Sequence, residues 1–355
     1  MAYQLYTLAN IEDVPAKIVD FVTNNMTGWS AATGGAGPNG ETTCTVDVPG
    51  TPAHTMQVLA KDGTAKTDIY CDNYVRIREN SGTPVNDART YAPCYPTGPN
   101  EPDVAPRTAD KLFLFGHPAP SGSEATGLAG VISFGTNRYR HFYIGRLDKR
   151  GTWTDGLVFD ASNHNEWKNY YHGPDTWDND YHKYLFRGIW TGDQYSGIIT
   201  GDHVGGVIID SPDDPETFRR FWCSNLSSYG NYLSGLGIGK EVFGGPLDGP
   251  LSGLFMAGFA PGGDSNIVLP IELYSNQDTG SSDRMYRPLG SVVGAFMVNM
   301  KNLAPEQEIT VGSRTFMVFP AARVDLSSDV NTFGSGNDYW PEEDNSGPIG
   351  YAYEK

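Results

Sequence analysis

Tyr139-Arg-His-Phe-Tyr-Ile-Gly-Arg-Leu147 reads as one β-strand with two distinct faces. Side chains alternate across a strand, so Arg140, Phe142 and Ile144 point one way and His141, Tyr143 and Gly145 the other. Leu112 to Phe115 and Gly130 to Phe134 precede it with the same character, and Ile267 to Tyr274, Ser291 to Met300, Gln307 to Val311 and Arg314 to Phe319 follow it. These runs are short, rich in β-branched and aromatic residues, and joined by polar turns. That is the pattern of antiparallel strands, not of strands separated by crossover helices. Val311-Gly-Ser-Arg314 is a hairpin signal, with glycine supplying the backbone freedom that a two-residue turn needs.

Working back toward the N-terminus, Thr43 to Val48, Thr55 to Leu59 and Ile69 to Ile77 read as an antiparallel meander. The glycine-rich stretch Gly34 to Gly40 reads as a flexible surface loop. One amphipathic helix precedes them: Ile11, Val14, Ile18, Phe21 and Val22 share a face, Asn10 caps the start, and Glu12 and Asp13 suit the first turn. It should end near Asn24 and Asn25. A second helix is expected from Pro215 to Trp222, with Asp213 or Asp214 as its cap.

The composition agrees with these elements. There are 43 Gly, 24 Pro, 7 Trp, 20 Tyr and 16 Phe in 355 residues, which supplies turns and large flat side chains, while the residues of long helices are sparse. The expected fold is therefore mainly β: an antiparallel sandwich or barrel-like sheets with one N-terminal amphipathic helix and long Gly/Pro-rich extended arms. Four segments are expected: a helical segment over 1–30, a β meander with a proline-rich excursion over 31–110, a central β domain over 111–260, and a C-terminal β module with an acidic arm over 261–355. The arms are Asn80 to Lys111, with six prolines, and Asp325 to Gly350, with six acids and no Lys or Arg. Tyr91, Tyr95, Phe333, Tyr339 and Trp340 in these arms are candidates for burial against neighbouring subunits.

The net charge of −17 argues against nucleic acid and against an anionic membrane surface as partners, because both are held by clustered Lys and Arg. No run of eighteen apolar residues occurs, and Met1 to Asn10 has neither a basic nor an apolar signal region, which predicts a soluble chain made in a cytoplasm and not secreted by a signal peptide. Cys44, Cys71, Cys94 and Cys223 form no Cys-x-x-Cys pair and are expected as buried thiols.

Motifs for chemistry are weak. Gly263-Asp-Ser265 matches too little of a hydrolase signature to outweigh a turn. Gly235 to Lys240 departs from a phosphate loop at Ser234 and Glu241. His164, His172 and His182, with Asp175, Asp178 and Asp180 nearby, fit no zinc or calcium spacing. No catalytic residue, metal or cofactor is nominated, and the chain is not expected to be an enzyme. The densest feature is aromatic: Trp167, Tyr171, Trp177, Tyr181 and Trp190 are candidates for a protein interface or for stacking on sugars.

Three stretches together resemble a family of tailed-bacteriophage virion structural proteins. They are Tyr3-Gln-Leu-Tyr-Thr through Val19-Asp-Phe-Val to Gly28-Trp29; then Tyr139 to Gly145 with Gly151-Thr-Trp153; and then Leu289-Gly-Ser-Val-Val-Gly-Ala-Phe, Pro305-Glu306, Glu308-Ile-Thr-Val-Gly312, Phe316-Met-Val-Phe-Pro320, Arg323 and Tyr351-Ala-Tyr353. The resemblance implies a place in the virion neck, tail or baseplate, with copies of the chain and other virion proteins as partners and no active site. The alternative is a tail-associated adhesin that binds or depolymerises a host-surface glycan through the aromatic segment.

Overall fold

The computed structural model describes residues 1–63, 72–79, 87–92, 108–135, 138–152, 154–162, 185, 206–210, 218–219, 222–223, 268–277, 285–300, 303–320 and 349–355. The chain opens with β1 (Ala2–Thr7), a 3-10 turn (Ile11–Asp13) and helix α1 (Val14–Asn25). An N-terminal sheet follows: β2 (Ser30–Thr33), β3 (Thr42–Val48), β4 (His54–Lys61), β5 (Tyr74–Glu79) and β6 (Asp87–Tyr91), paired in chain order. Then come β7 (Lys111–His117), β8 (Thr126–Ser133), β9 (Tyr139–Arg146), β10 (Asp148–Lys149), β11 (Thr154–Ala161), β12 (Gly206–Asp210) and β13 (Phe218–Arg219). All but β10 join β1 in a central sheet of order β1-β7-β8-β9-β11-β12-β13. The C-terminal sheet is β14 (Trp222–Cys223), β15 (Val268–Gln277), β16 (Met285–Asn299), β17 (Gln307–Val311), β18 (Arg314–Pro320) and β19 (Ile349–Glu354), in the order β14-β15-β16-β19-β18-β17, with β10 added beside β16.

Every pairing in these sheets is antiparallel, as the sequence pattern predicts. The helix also forms as expected. Asn10 accepts a hydrogen bond from the Glu12 N–H at 3.0 Å, and Ile11, Val14, Ile18, Phe21 and Val22 are all buried. The hairpin at Gly312 is present, with Val311 opposite Arg314 and φ of 63° at the glycine.

Two expectations need correction. Phe218–Arg219 and Trp222–Cys223 are strands, not parts of a helix: Phe218 pairs with Ile208, and Trp222 with Tyr274. Backbone pairing with two different sheets there outweighs the weak helical signal. The proline-rich excursion is interrupted by β6, which fits between Pro84 and Pro93 and pairs as an edge strand with β5. The Gly34 to Gly40 stretch is a surface loop between β2 and β3, as expected, and the Gly34 and Gly37 N–H groups donate to the Thr43 and Glu41 carbonyls, each at 2.8 Å.

The central sheet is filled on both faces, which explains the double apolar pattern of Tyr139 to Leu147. Phe142 and Ile144 join Leu112, Leu114, Leu128 and Ile132 in one core, closed by α1 and by Cys44, Val46, Met56, Val58 and Ile77 of the N-terminal sheet. On the other face, Phe113, Phe115, Tyr139 and Tyr143 meet Met297, Phe319, Tyr351 and Tyr353 of the C-terminal sheet. The described residues thus form three β layers with α1 in the first interlayer. Each large side chain moved from water into these cores contributes about 1.5–3 kcal/mol.

Candidate functional site

The residues nominated from sequence as interface or sugar-stacking groups, Trp167, Tyr171, Trp177, Tyr181 and Trp190, lie outside the described residues. So do Tyr95, Phe333, Tyr339 and Trp340 of the arms, and Ser265, His164, His172 and His182. Tyr91 ends β6, where its backbone pairs with Tyr74. Cys44 is a buried thiol, and burial pushes its pKa up to about 12. Among the described residues no three His, Cys, Asp or Glu side chains form a group able to hold a metal ion. No helix there is long and apolar enough to cross a membrane.

The structure instead brings together polar groups that sequence reasoning had not connected, and they lie at the seams between layers. The first is His141, fully buried on β9. Its Nε2 is 2.9 Å from the Pro320 carbonyl, an acceptor only, so that nitrogen carries the proton. Nδ1, 2.9 Å from the Tyr353 hydroxyl, then accepts the Tyr353 O–H. Burial holds the ring neutral and lowers its pKa to about 3. One imidazole therefore joins the central sheet to both β18 and β19.

Tyr143, two residues on and on the same face, makes a second tie. Its hydroxyl donates to the Val293 carbonyl at 3.0 Å and accepts the Val293 N–H at 3.2 Å. His117 is a third: Nε2 donates to the Glu354 carbonyl at 3.2 Å, while the Glu354 carboxylate takes a two-pronged contact from Arg314 at 2.6 and 2.5 Å. Burial raises the Glu354 carboxyl, but the Arg314 guanidinium outweighs that and holds it below the usual range. At the sheet ends, Lys111 Nζ reaches both Glu306 oxygens at 3.1 and 2.9 Å, and the Tyr139 hydroxyl donates to the same carboxylate at 3.0 Å.

The seam between the N-terminal and central sheets carries a cluster of charged groups. His54, on the inner face at the start of β4, places Nδ1 2.8 Å from Glu79 and Nε2 2.7 Å from Asp155. Asp155 sits in a β-bulge at φ 66°, where the register of β11 on β12 slips between Asp155 and Leu157. The bulge turns its carboxylate inward, where Oδ1 also accepts from Arg146 at 3.2 Å and from the Leu157 N–H at 3.1 Å. The sequence did hold a signal for this group: Asp155-Gly156 is a breaker inside a strand pattern. Only the fold shows which residues the bulge faces.

Trp29 and Thr126 complete the set. The indole N–H donates to Thr126 Oγ1 at 2.9 Å, and that hydroxyl donates to the His117 carbonyl at 2.6 Å. These groups act on one another across sheet seams, with proton positions dictated by protein partners. Their chemistry is adhesion between layers.

No protein-family model matches the chain, and no curated protein matches it.

Proposed function

We propose that the chain is a structural subunit of a tailed-phage particle, assembling with copies of itself and with other virion proteins in the neck, tail or baseplate. One observation carries this reading. The second and third stretches that resemble the virion family lie far apart in the chain, yet their residues meet in one interlayer core, and Tyr3 of the first packs against that core. Tyr3 of the first stretch packs on Phe115, which stacks on Tyr353 of the third at 5.1 Å, His141 of the second stretch bonds Tyr353 and Pro320 of the third, and Tyr143 bonds Val293. What resembles the family is thus the framework of the fold, and a framework that spends its buried polar groups on holding layers together suits a part that bears load.

No cofactor, nucleic acid or membrane enters this reading. The test is to isolate particles from cells producing the chain with a C-terminal tag and to follow the tag through a density gradient and by gold labelling in the electron microscope. Sedimentation with particles at a fixed copy number, with label at one location, is the expected result. A chain that stays in the soluble fraction overturns the proposal. So does a purified chain that degrades a surface polysaccharide and loses that activity on replacement of an acid pair, which is the outcome the adhesin alternative requires.

A further inference from the structure

We propose that the His54 cluster is a proton-dependent latch, holding the N-terminal sheet on the central sheet while His54 is charged and loosening it as the pH rises. The geometry is specific. His54 lies between two carboxylates on different layers, Glu79 on β5 of its own sheet at 2.8 Å and Asp155 on β11 of the central sheet at 2.7 Å. A neutral imidazole has one N–H, whereas an imidazolium has two. Two carboxylates, which only accept, are both satisfied by the charged ring alone. Once the ring is neutral, one nitrogen lone pair faces a carboxylate oxygen at hydrogen-bond distance.

The surrounding charges point the same way. Arg146 of β9 donates to Asp155 at 3.2 Å, to the Pro49 carbonyl at 2.6 Å and to the Pro52 carbonyl, so it grips the β3–β4 connection. Glu124, from the β7–β8 connection, accepts the Thr51 N–H at 2.9 Å and faces Lys149 of β10 at 3.4 Å. Among the described residues this seam brings the carboxylates of Glu79, Asp155 and Glu124 together with Arg146, Lys149 and His54. Asp155 and Arg146 are 3% and 1% exposed, so an uncompensated charge there has little water to turn to. Glu79, at 24%, can turn to solvent, and the cross-layer contact left behind is then an uncharged donor on a buried carboxylate.

Burial disfavours the charged ring, but the bonds from Asp155 and Glu79 more than offset it, and the His54 pKa is held above its ordinary value of 6.5. The sign follows. The open state, with His54 in water, takes up its proton below 6.5, and the closed state keeps its proton to higher pH. The latch is therefore complete below 6.5 and is lost as the pH rises through the closed-state value. The seam on the opposite face of the central sheet, built on a neutral His141, has no such dependence in this range.

The test is amide hydrogen exchange of the full chain between pH 6 and 9, corrected for intrinsic rates, beside an NMR titration of the His54 ring. Protection of β3, β4 and β5 should fall about tenfold per pH unit from 6.5 to the His54 midpoint and then level off, while β18 and β19 hold constant. Glu79→Gln, at the rim, should lower the His54 midpoint and bring the plateau in at correspondingly lower pH. A His54 midpoint at or below 6.5 overturns the proposal, as does protection that is flat across the range or falls equally in all three sheets. A Glu79→Gln variant whose titration moves while its exchange profile does not has the same meaning.

Discussion

Tyr353→Phe isolates one atom in the seam between the central and C-terminal sheets. The Tyr353 ring is fully buried and stacked on Phe115 at 5.1 Å, and phenylalanine keeps that packing, so no cavity of consequence forms. What goes is the hydroxyl that donates to His141 Nδ1 at 2.9 Å. His141 has no exposed surface, and its other nitrogen is committed to the Pro320 carbonyl, so the ring cannot exchange its proton between nitrogens without breaking that bond. Nδ1 becomes a buried acceptor without a donor, which costs about 1–3 kcal/mol. Urea unfolding followed by tryptophan fluorescence should show this as a lower midpoint at unchanged slope, since the buried area hardly alters. Adding His141→Leu to Tyr353→Phe removes the orphaned acceptor, so the pair should be less destabilised than the sum of the single changes, by about 0.5–3 kcal/mol. A Tyr353→Phe protein within about 0.3 kcal/mol of the parent, well under the range for an orphaned buried acceptor, would refute the assigned proton positions.

The same ring predicts acid sensitivity. With a folded-state pKa of about 3 against 6.5 unfolded, only the unfolded chain takes up this proton between those values, so stability falls by about 1.4 kcal/mol per pH unit as the pH drops through that window. Unfolding curves that are flat from pH 6.5 to 4 would contradict it. Gly127→Ala would drive its new methyl into the Tyr143 hydroxyl and the Val293 carbonyl, breaking the second tie, and should destabilise by about 1–3 kcal/mol. Gly35→Ala points into open space and should change stability by less than about 0.5 kcal/mol in the same assay. For the aromatic segment, Trp177→Ala should weaken subunit association by about 2 kcal/mol or more in sedimentation experiments while leaving the fold intact. Sugar-dependent fluorescence quenching lost in that variant, with assembly unchanged, would favour the glycan reading.

The local chemistry of the strands and of α1 was legible in sequence because their periodicity is set by backbone geometry and needs no partner. Tyr139 to Leu147 shows apolar groups on both faces, Asn10 caps the helix, and Gly312 turns the last hairpin, each within a few residues of chain. The six-residue β19, which holds Tyr351-Ala-Tyr353, lies between β16 and β18 with Tyr351 and Tyr353 fully buried. Pairing order is a long-range choice that alternation does not encode.

The seams were less legible still. His54 lies 101 residues from Asp155, and His141 lies 212 from Tyr353, so no motif spacing links them. A histidine's proton affinity depends on what surrounds it after folding: two carboxylates raise the His54 pKa against its burial, while complete burial lowers that of His141. The sequence by itself determined α1 and many of the strands, such as β3, β4, β9 and β18, but not β6, β11 or β12, and it read β13 as helix. Only the tertiary structure decided which faces meet, because the sign of each histidine's contribution comes from burial and from partners that folding alone brings within hydrogen-bond reach.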